Sequence, residues 1–145
     1  MNEIKFRAYL NKENKMVEVK SLHLGTNRIM YGYSENSQCY GNKSISLKDC
    51  ELMQYTGLKD KNGKEIYEGD VLVHEFEDYL TKQPRKSYYL VKFKDASFYI
   101  AFQETNDYGV YEWVYDDTLE EYYIRNWGLE VVGNIYENLE LLEVC

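Results

Sequence analysis

The run Leu52-Met53-Gln54-Tyr55-Thr56-Gly57-Leu58-Lys59-Asp60-Lys61-Asn62-Gly63-Lys64-Glu65-Ile66-Tyr67-Glu68-Gly69-Asp70 places three glycines and an Asn-Gly pair between short apolar segments. Asn62-Gly63 is the strongest hairpin signal in the chain, because a type I′ turn needs positive φ at both central positions and these two residues tolerate it. Leu52–Tyr55 and Ile66-Tyr67 read as the flanking strands, and Glu68-Gly69-Asp70 turns again into Val71-Leu72-Val73. Gly57, Asn62, Gly63, Gly69 and Asp70 are therefore assigned to turns. Hairpins this closely spaced predict a mainly β fold, a β-rich α+β chain of small barrel-like antiparallel sheets, SH3-like or similar.

Outward from this run the strand pattern continues. Ile4, Phe6, Ala8 and Leu10 alternate with Lys5, Arg7 and Tyr9, the period of a strand with one buried face. Met16 and Val17 restart the pattern after a polar loop, Arg28 to Tyr33 form another short strand, and residues 34–44 read as loop. Downstream, Tyr88 to Phe93, Ser97 to Phe102 and Val110 to Tyr115 form a three-strand meander with turns at Lys94-Asp95-Ala96 and at Asn106 to Gly109. Pro84 falls in the polar loop Thr81 to Lys86. One or two short helices are expected: Thr118 to Asn126, capped by Asp116 or Asp117, and a helical turn within Glu137 to Leu142. Leu129 to Tyr136 is the last strand, interrupted by Gly133. No linker rich in Pro, Gly or Ser divides the chain, which reads as one unit, with lobes 1–56 and 65–145 meeting at the 57–70 turn block.

A chain of 145 residues can bury roughly two-thirds of its unfolded surface without disulfides or metal. Its three cysteines, Cys39, Cys50 and Cys145, show no C-x-x-C spacing, and the N-terminus has no signal-peptide core, so a cytoplasmic location is expected. No segment approaches the ~20 apolar residues of a membrane helix, and no membrane partner is expected. The net charge of −8 is unevenly spread. Residues 1–64 hold eleven basic and seven acidic groups, +4, whereas residues 65–145 hold six and eighteen, −12. Sixteen tyrosines against five Phe and two Trp suit contact surfaces, since the ring buries apolar area and keeps a hydroxyl for water; they equally suit half-exposed strands.

Chemistry is harder to find. Gly57 to Lys64 resembles a P-loop only superficially, because its G-x-x-x-x-x-G-K spacing is one residue too long, no Ser or Thr follows Lys64, and the flanks predict hairpin. His74-Glu75-Phe76-Glu77-Asp78 splits its candidate ligands over two faces of a strand and reads as a solvated face; His23 stands alone. No carboxylate pair or cysteine is marked out for catalysis, so no catalytic residue, metal site or cofactor is assigned. Lys5, Arg7, Lys15 and Arg28, interleaved with Phe6 and Tyr9, are the one basic patch that suggests nucleic acid, although the acidic remainder opposes it.

The chain closely resembles the YopX family of proteins carried by bacteriophages and prophages. The resemblance rests on Lys5-Phe6-Arg7-Ala8-Tyr9 with Asn14-Lys15-Met16, on the central run from Leu52 to Asp70, and on Val131-Val132-Gly133-Asn134-Ile135-Tyr136-Glu137-Asn138 with Glu140-Leu141-Leu142. Tyr9 stands where the family often has Trp, and Leu139 where it often has Pro. The resemblance implies a phage or prophage origin in a Gram-positive type of host, a β-rich fold and self-assembly; it implies no activity and no catalytic residues. The expected function is a non-enzymatic, homo-oligomeric protein-interaction module that contacts a host or phage protein. The alternative is a nucleic-acid-associated accessory protein using the basic N-terminal lobe.

Overall fold

Side chains alternate across a strand, so Ala8, Leu10, Val17, Ile29 and Tyr31 gather on one side of consecutive strands and leave Arg7, Glu18 and Arg28 on the other. The computed structural model describes residues 3–35, 39–105, 108 and 111–142, and the chain divides into two compact units, Met1–Tyr55 and Thr56–Cys145. In the first, β1 (Phe6–Leu10), β2 (Lys15–His23), β3 (Arg28–Glu35), β4 (Cys39–Ser46) and the start of β5 (Cys50–Lys59) form an antiparallel sheet in the order β4-β3-β2-β1-β5. Cys50 and Tyr31 complete its core, against which Val19, Leu22, Ile45, Leu47 and Leu52 pack.

In the second unit β6 (Glu65–Tyr67) lies beside the end of β5. The other strands are β7 (Asp70–Glu77), β8 (Pro84–Lys94), β9 (Ser97–Thr105), β10 (Tyr111–Thr118) and β11 (Glu130–Asn134), and they form an antiparallel sheet in the order β10-β9-β8-β7-β11. Neighbouring residues of its central strands serve opposite cores. Leu72 and Val91 join Ile66, Ile100 and the helix α1 (Glu121–Trp127) on one face, while Val71 and Leu90 meet Leu142, Ile135 and Trp113 on the other. Burying each such aliphatic side chain contributes roughly 1.5–3 kcal/mol. The chain is thus mainly β with antiparallel sheets and short helical segments, as expected. Among the described residues the sheets stay open rather than closing into barrels.

The central hairpin forms, but not through a type I′ turn. Gly63 has φ +82° whereas Asn62 does not take positive φ. The turn is instead Asp60 to Gly63, closed by the Gly63 N–H on the Asp60 carbonyl at 3.0 Å, and the Asp60 carboxylate accepts from the N–H groups of Asn62 (2.8 Å) and Lys64 (2.9 Å). A side chain that caps its own turn favours negative φ at the centre and leaves the left-handed step to glycine. The two-residue turn with both φ positive occurs elsewhere, at Asp95 (φ +49°) and Ala96 (φ +61°), between β8 and β9. Gly57 also has positive φ, +86°, yet lies inside β5 rather than in a turn. There the Thr56 hydroxyl donates to the Ile66 carbonyl at 2.8 Å and accepts from the Leu58 N–H at 3.2 Å. Gly69 (φ +82°) turns as expected: its N–H reaches Val91 and its carbonyl accepts from Ile135, both at 2.8 Å, while the buried Asp70 carboxylate accepts from the Tyr67 N–H at 2.8 Å.

Other boundaries move for identifiable reasons. Residues 39–44, expected as loop, belong to β4, where ladder partners on β3 supply the backbone hydrogen bonds that a polar edge strand needs. Pro84 is the first residue of β8, opposite Glu77, a position a proline tolerates because its missing N–H costs no inner ladder bond. Asp117 and Thr118 pair with Ile100 and Tyr99 as part of β10, so neither Asp116 nor Asp117 caps α1. The helix begins after Glu120 without a side-chain cap and ends on Gly128, whose φ of +60° is the left-handed C-terminal stop. β11 ends at Asn134, two residues before the expected strand end. Apart from Tyr108, the expected turn at Asn106 to Gly109 lies outside the described residues.

Two stability changes follow. Asp60→Ala removes three acceptor contacts, one of them to the N–H of Val131 at 2.9 Å, and is expected to cost roughly 2–4 kcal/mol. Ala96→Gly relieves a side chain held at positive φ and is expected to stabilise by about 0.5–1 kcal/mol. Urea unfolding at equilibrium checks both; a neutral Asp60→Ala or a destabilising Ala96→Gly contradicts these turn geometries.

Candidate interaction surface

Two periodicities bring the aromatic residues of the second unit together. Leu72, His74 and Phe76 share one face of β7, and Tyr89 lies opposite Leu72 on β8. Tyr123 and Trp127 are four apart on α1 and share one helical face, anchored by the buried Ile124. The rings meet around Trp127. His74 stacks on it with centroids 5.1 Å apart and planes 13° apart, Tyr123 approaches edge-on at 4.8 Å, and Tyr89 lies at 6.1 Å. Phe76, 5.2 Å from His74, is 40% exposed, and Tyr122, 5.3 Å from Tyr123, is 63% exposed. The His74 face is therefore half-covered by rings rather than solvated, because α1 packs over β7. Burial pushes the His74 pKa below its ordinary value and lifts the Tyr123 hydroxyl, with a hydrogen bond to Asp117 adding to the rise.

On the opposite side of the strand, Glu75 pairs with Lys86 at 3.0 Å, which holds its carboxyl below the usual range. The candidate ligands of the 74–78 segment are thus pulled apart, and among the described residues no group of three His, Cys, Asp or Glu is arranged to hold a metal. Burial raises the Cys50 thiol, with Glu51 and Asp49 adding to it, which keeps the sulfur protonated and unreactive.

The block that resembles a phosphate loop has spent its backbone donors internally. The N–H groups of Asp60 and Lys61 reach the carbonyls of Lys64 (2.8 Å) and Leu129 (3.1 Å), and those of Leu58, Asn62, Gly63 and Lys64 are held by Thr56 and Asp60. Gly57, Asn62, Gly63, Gly69 and Asp70 thus shape the backbone. A cleft of about 620 Å³ opens between residues 57–61 and α1.

The four basic candidates do not form one patch. Arg7 and Arg28 lie on the face of the first sheet away from its core, and Lys15, opposite Leu10, lies at an edge of the core face. Acidic groups accompany them: Lys5 pairs with Glu3 at 3.0 Å and Glu18 stands opposite Arg7. Arg28 is engaged with Ser44, its Nε donating to Oγ at 2.8 Å.

Sequence reasoning passed over Asp60, Trp127, Asn134 and Asn138. The Asn134 side chain accepts from the N–H groups of Tyr136 and Glu137, both at 3.0 Å, and the Asn138 amide oxygen accepts from the Asn134 N–H at 3.2 Å. A Cβ on Gly133 would overlap the Asn138 side chain, which explains the glycine in Val-Gly-Asn. The available signal was turn chemistry, an Asp or Asn two residues before a free N–H.

A family model described as "YopX protein" matches residues 5–143. The crystal structure of protein EF1440 from Enterococcus faecalis is similar, at TM-score 0.65 and 28% sequence identity, covering 98% of this chain and 99% of that one. No curated protein matches.

The lowered pKa of His74 makes stability depend on pH in one direction. The folded ring binds a proton less readily than the unfolded one, whose ordinary value is 6.5. Its unpenalised state therefore holds above that value, and stability falls as pH drops through it. Thermal unfolding from about pH 8 to 5 should show this decline blunted in His74→Phe; parallel profiles for the two proteins contradict it.

Proposed function

This chain belongs to the YopX family, and from that premise we propose that it is a phage- or prophage-encoded cytoplasmic protein that works without catalysis, by homo-oligomeric association and contact with a host or phage protein. The observation that carries the reading is the ring-covered surface of the second unit, where His74, Phe76, Tyr122, Tyr123 and Trp127 are organised by mutual contacts yet remain partly open to solvent. Rings fixed before binding lose little rotamer freedom on contact, which is why Tyr and Trp concentrate the energy of interfaces. A second ring-rich face supports it: Lys92 lies 4.3 Å from the Trp113 ring and Lys94 4.3 Å from the Tyr115 ring.

Charge favours association of unlike surfaces. Residues 1–55 carry eight basic and six acidic groups, +2, and residues 56–145 carry nine and nineteen, −10, so an acidic surface of one copy has a weakly basic counterpart on the next. Sedimentation at micromolar concentration should give a species heavier than the 17.3 kDa monomer. A single monomeric boundary at that concentration overturns the reading.

A further inference from the structure

The tip of the β7–β8 hairpin carries the large apolar residues Tyr79 and Leu80, 83% and 87% exposed. Exposure of this kind usually accompanies a loose loop, but this turn is closely tied. The Asp78 carboxylate accepts from the N–H groups of Leu80 (3.0 Å) and Thr81 (2.8 Å). The Lys82 N–H donates to the Asp78 carbonyl at 2.8 Å, and the Asp78 N–H to that of Gln83 at 2.9 Å. The bonds from Thr81 hold the Asp78 carboxyl below its usual range, so the turn keeps its charged cap at neutral pH. A preorganised apolar pair gives up little entropy when it is covered.

The cleft between residues 57–61 and α1 has the complementary character. Leu58 and Ile124 line it with apolar surface, and Lys59, Lys61 and Arg125 supply three cations. Lys61 is paired with Glu130 and Arg125 with Glu121, whereas Lys59 has no ion pair among the described residues. Asp60, the other carboxylate at the cleft, has its oxygens committed to backbone N–H groups. The strand entering the tip brings Glu75 and Glu77, followed by Asp78; Glu75 is paired with Lys86 at 3.0 Å, whereas Asp78 and Glu77 are held more loosely, 3.8 Å from Arg85 and 3.9 Å from Lys82.

We propose that the Tyr79-Leu80 tip of one copy seats in the Lys59-lined cleft of a second copy, with Glu77 facing Lys59. The apolar pair covers the half-buried Leu58 above the core residue Ile124, and the loosely held Glu77 meets Lys59, so apolar surface and charge select the same partner. This contact rests on the self-association proposed above and gives it a location.

Sedimentation velocity on the full chain tests it. Leu80→Asp and, separately, Tyr79→Ser should weaken association about tenfold or more. Lys59→Glu and Glu77→Lys should each weaken it roughly threefold, and the double variant should recover most of the loss, a coupling that general destabilisation does not produce. All four residues are exposed, so circular dichroism should be unchanged throughout. If the wild-type chain is monomeric, this contact and the self-association reading fall together. If it is oligomeric and the tip variants leave it so, or the double variant shows no recovery, the tip-in-cleft contact is wrong while self-association stands.

Discussion

The Asp60 carboxylate ties together parts of the second unit that lie far apart in sequence. One oxygen organises its own turn through Asn62 and Lys64, and the other accepts from Val131, 71 residues away, at the edge strand β11. The Lys61 N–H adds a bond to the Leu129 carbonyl beside it. A side chain that both closes a hairpin and receives a strand couples local to non-local structure, and the non-local part is the one that must overcome chain entropy. The placement of α1 follows, because the helix is held between β10 and β11 and its Ile124 enters the core that Ile66, Leu72 and Leu129 build.

Polar capping recurs at three further turns of this unit. Asp70 holds Tyr67, Asp78 holds Leu80 and Thr81, and Asn134 holds Tyr136 and Glu137. Asp70 and Asn134 lie in the family-specific blocks alongside their glycines and Asp78 lies outside them, and their common task is to satisfy backbone N–H groups that a short turn cannot pair. The central and C-terminal blocks therefore need no ligand to explain them. Tyr89, Tyr123 and Trp127 pack against the core of this unit, which leaves the exposed Phe76 and Tyr122 and the exposed hairpin tip as apolar surface that folding does not account for.

The electrostatics support the same distinction. Acidic groups stand among the N-terminal cations, and the surface ion pairs there contribute little stability. In the second unit three lysines among the described residues rest on aromatic rings, Lys82 on Tyr79, Lys92 on Trp113 and Lys94 on Tyr115, an arrangement that shields apolar faces while keeping them wettable.

Much of the fold was legible in the amino-acid sequence. Alternation over residues 4–10, the meander of 88–102 and the glycines at 63 and 69 each depend on local sterics or on a two-residue period, and such signals survive in a single sequence. The polar strand Cys39–Ser46 was not legible, because its backbone is satisfied by β3 and its side chains carry no alternation to read. Asp117 likewise reads as a helix cap and Thr118 as the start of the helix until Ile100 and Tyr99 claim them for a ladder. The Asn62-Gly63 turn was right in place and wrong in type, since the neighbouring Asp60 could be weighed only once Val131 was known to need its second oxygen. Of the candidate surface, the composition alone set the abundance of tyrosines and acidic groups. Which rings meet, His74 on Trp127 above all, was decided by the packing of α1 over β7, because residues 53 apart in the chain become neighbours only when a shared core draws their elements together.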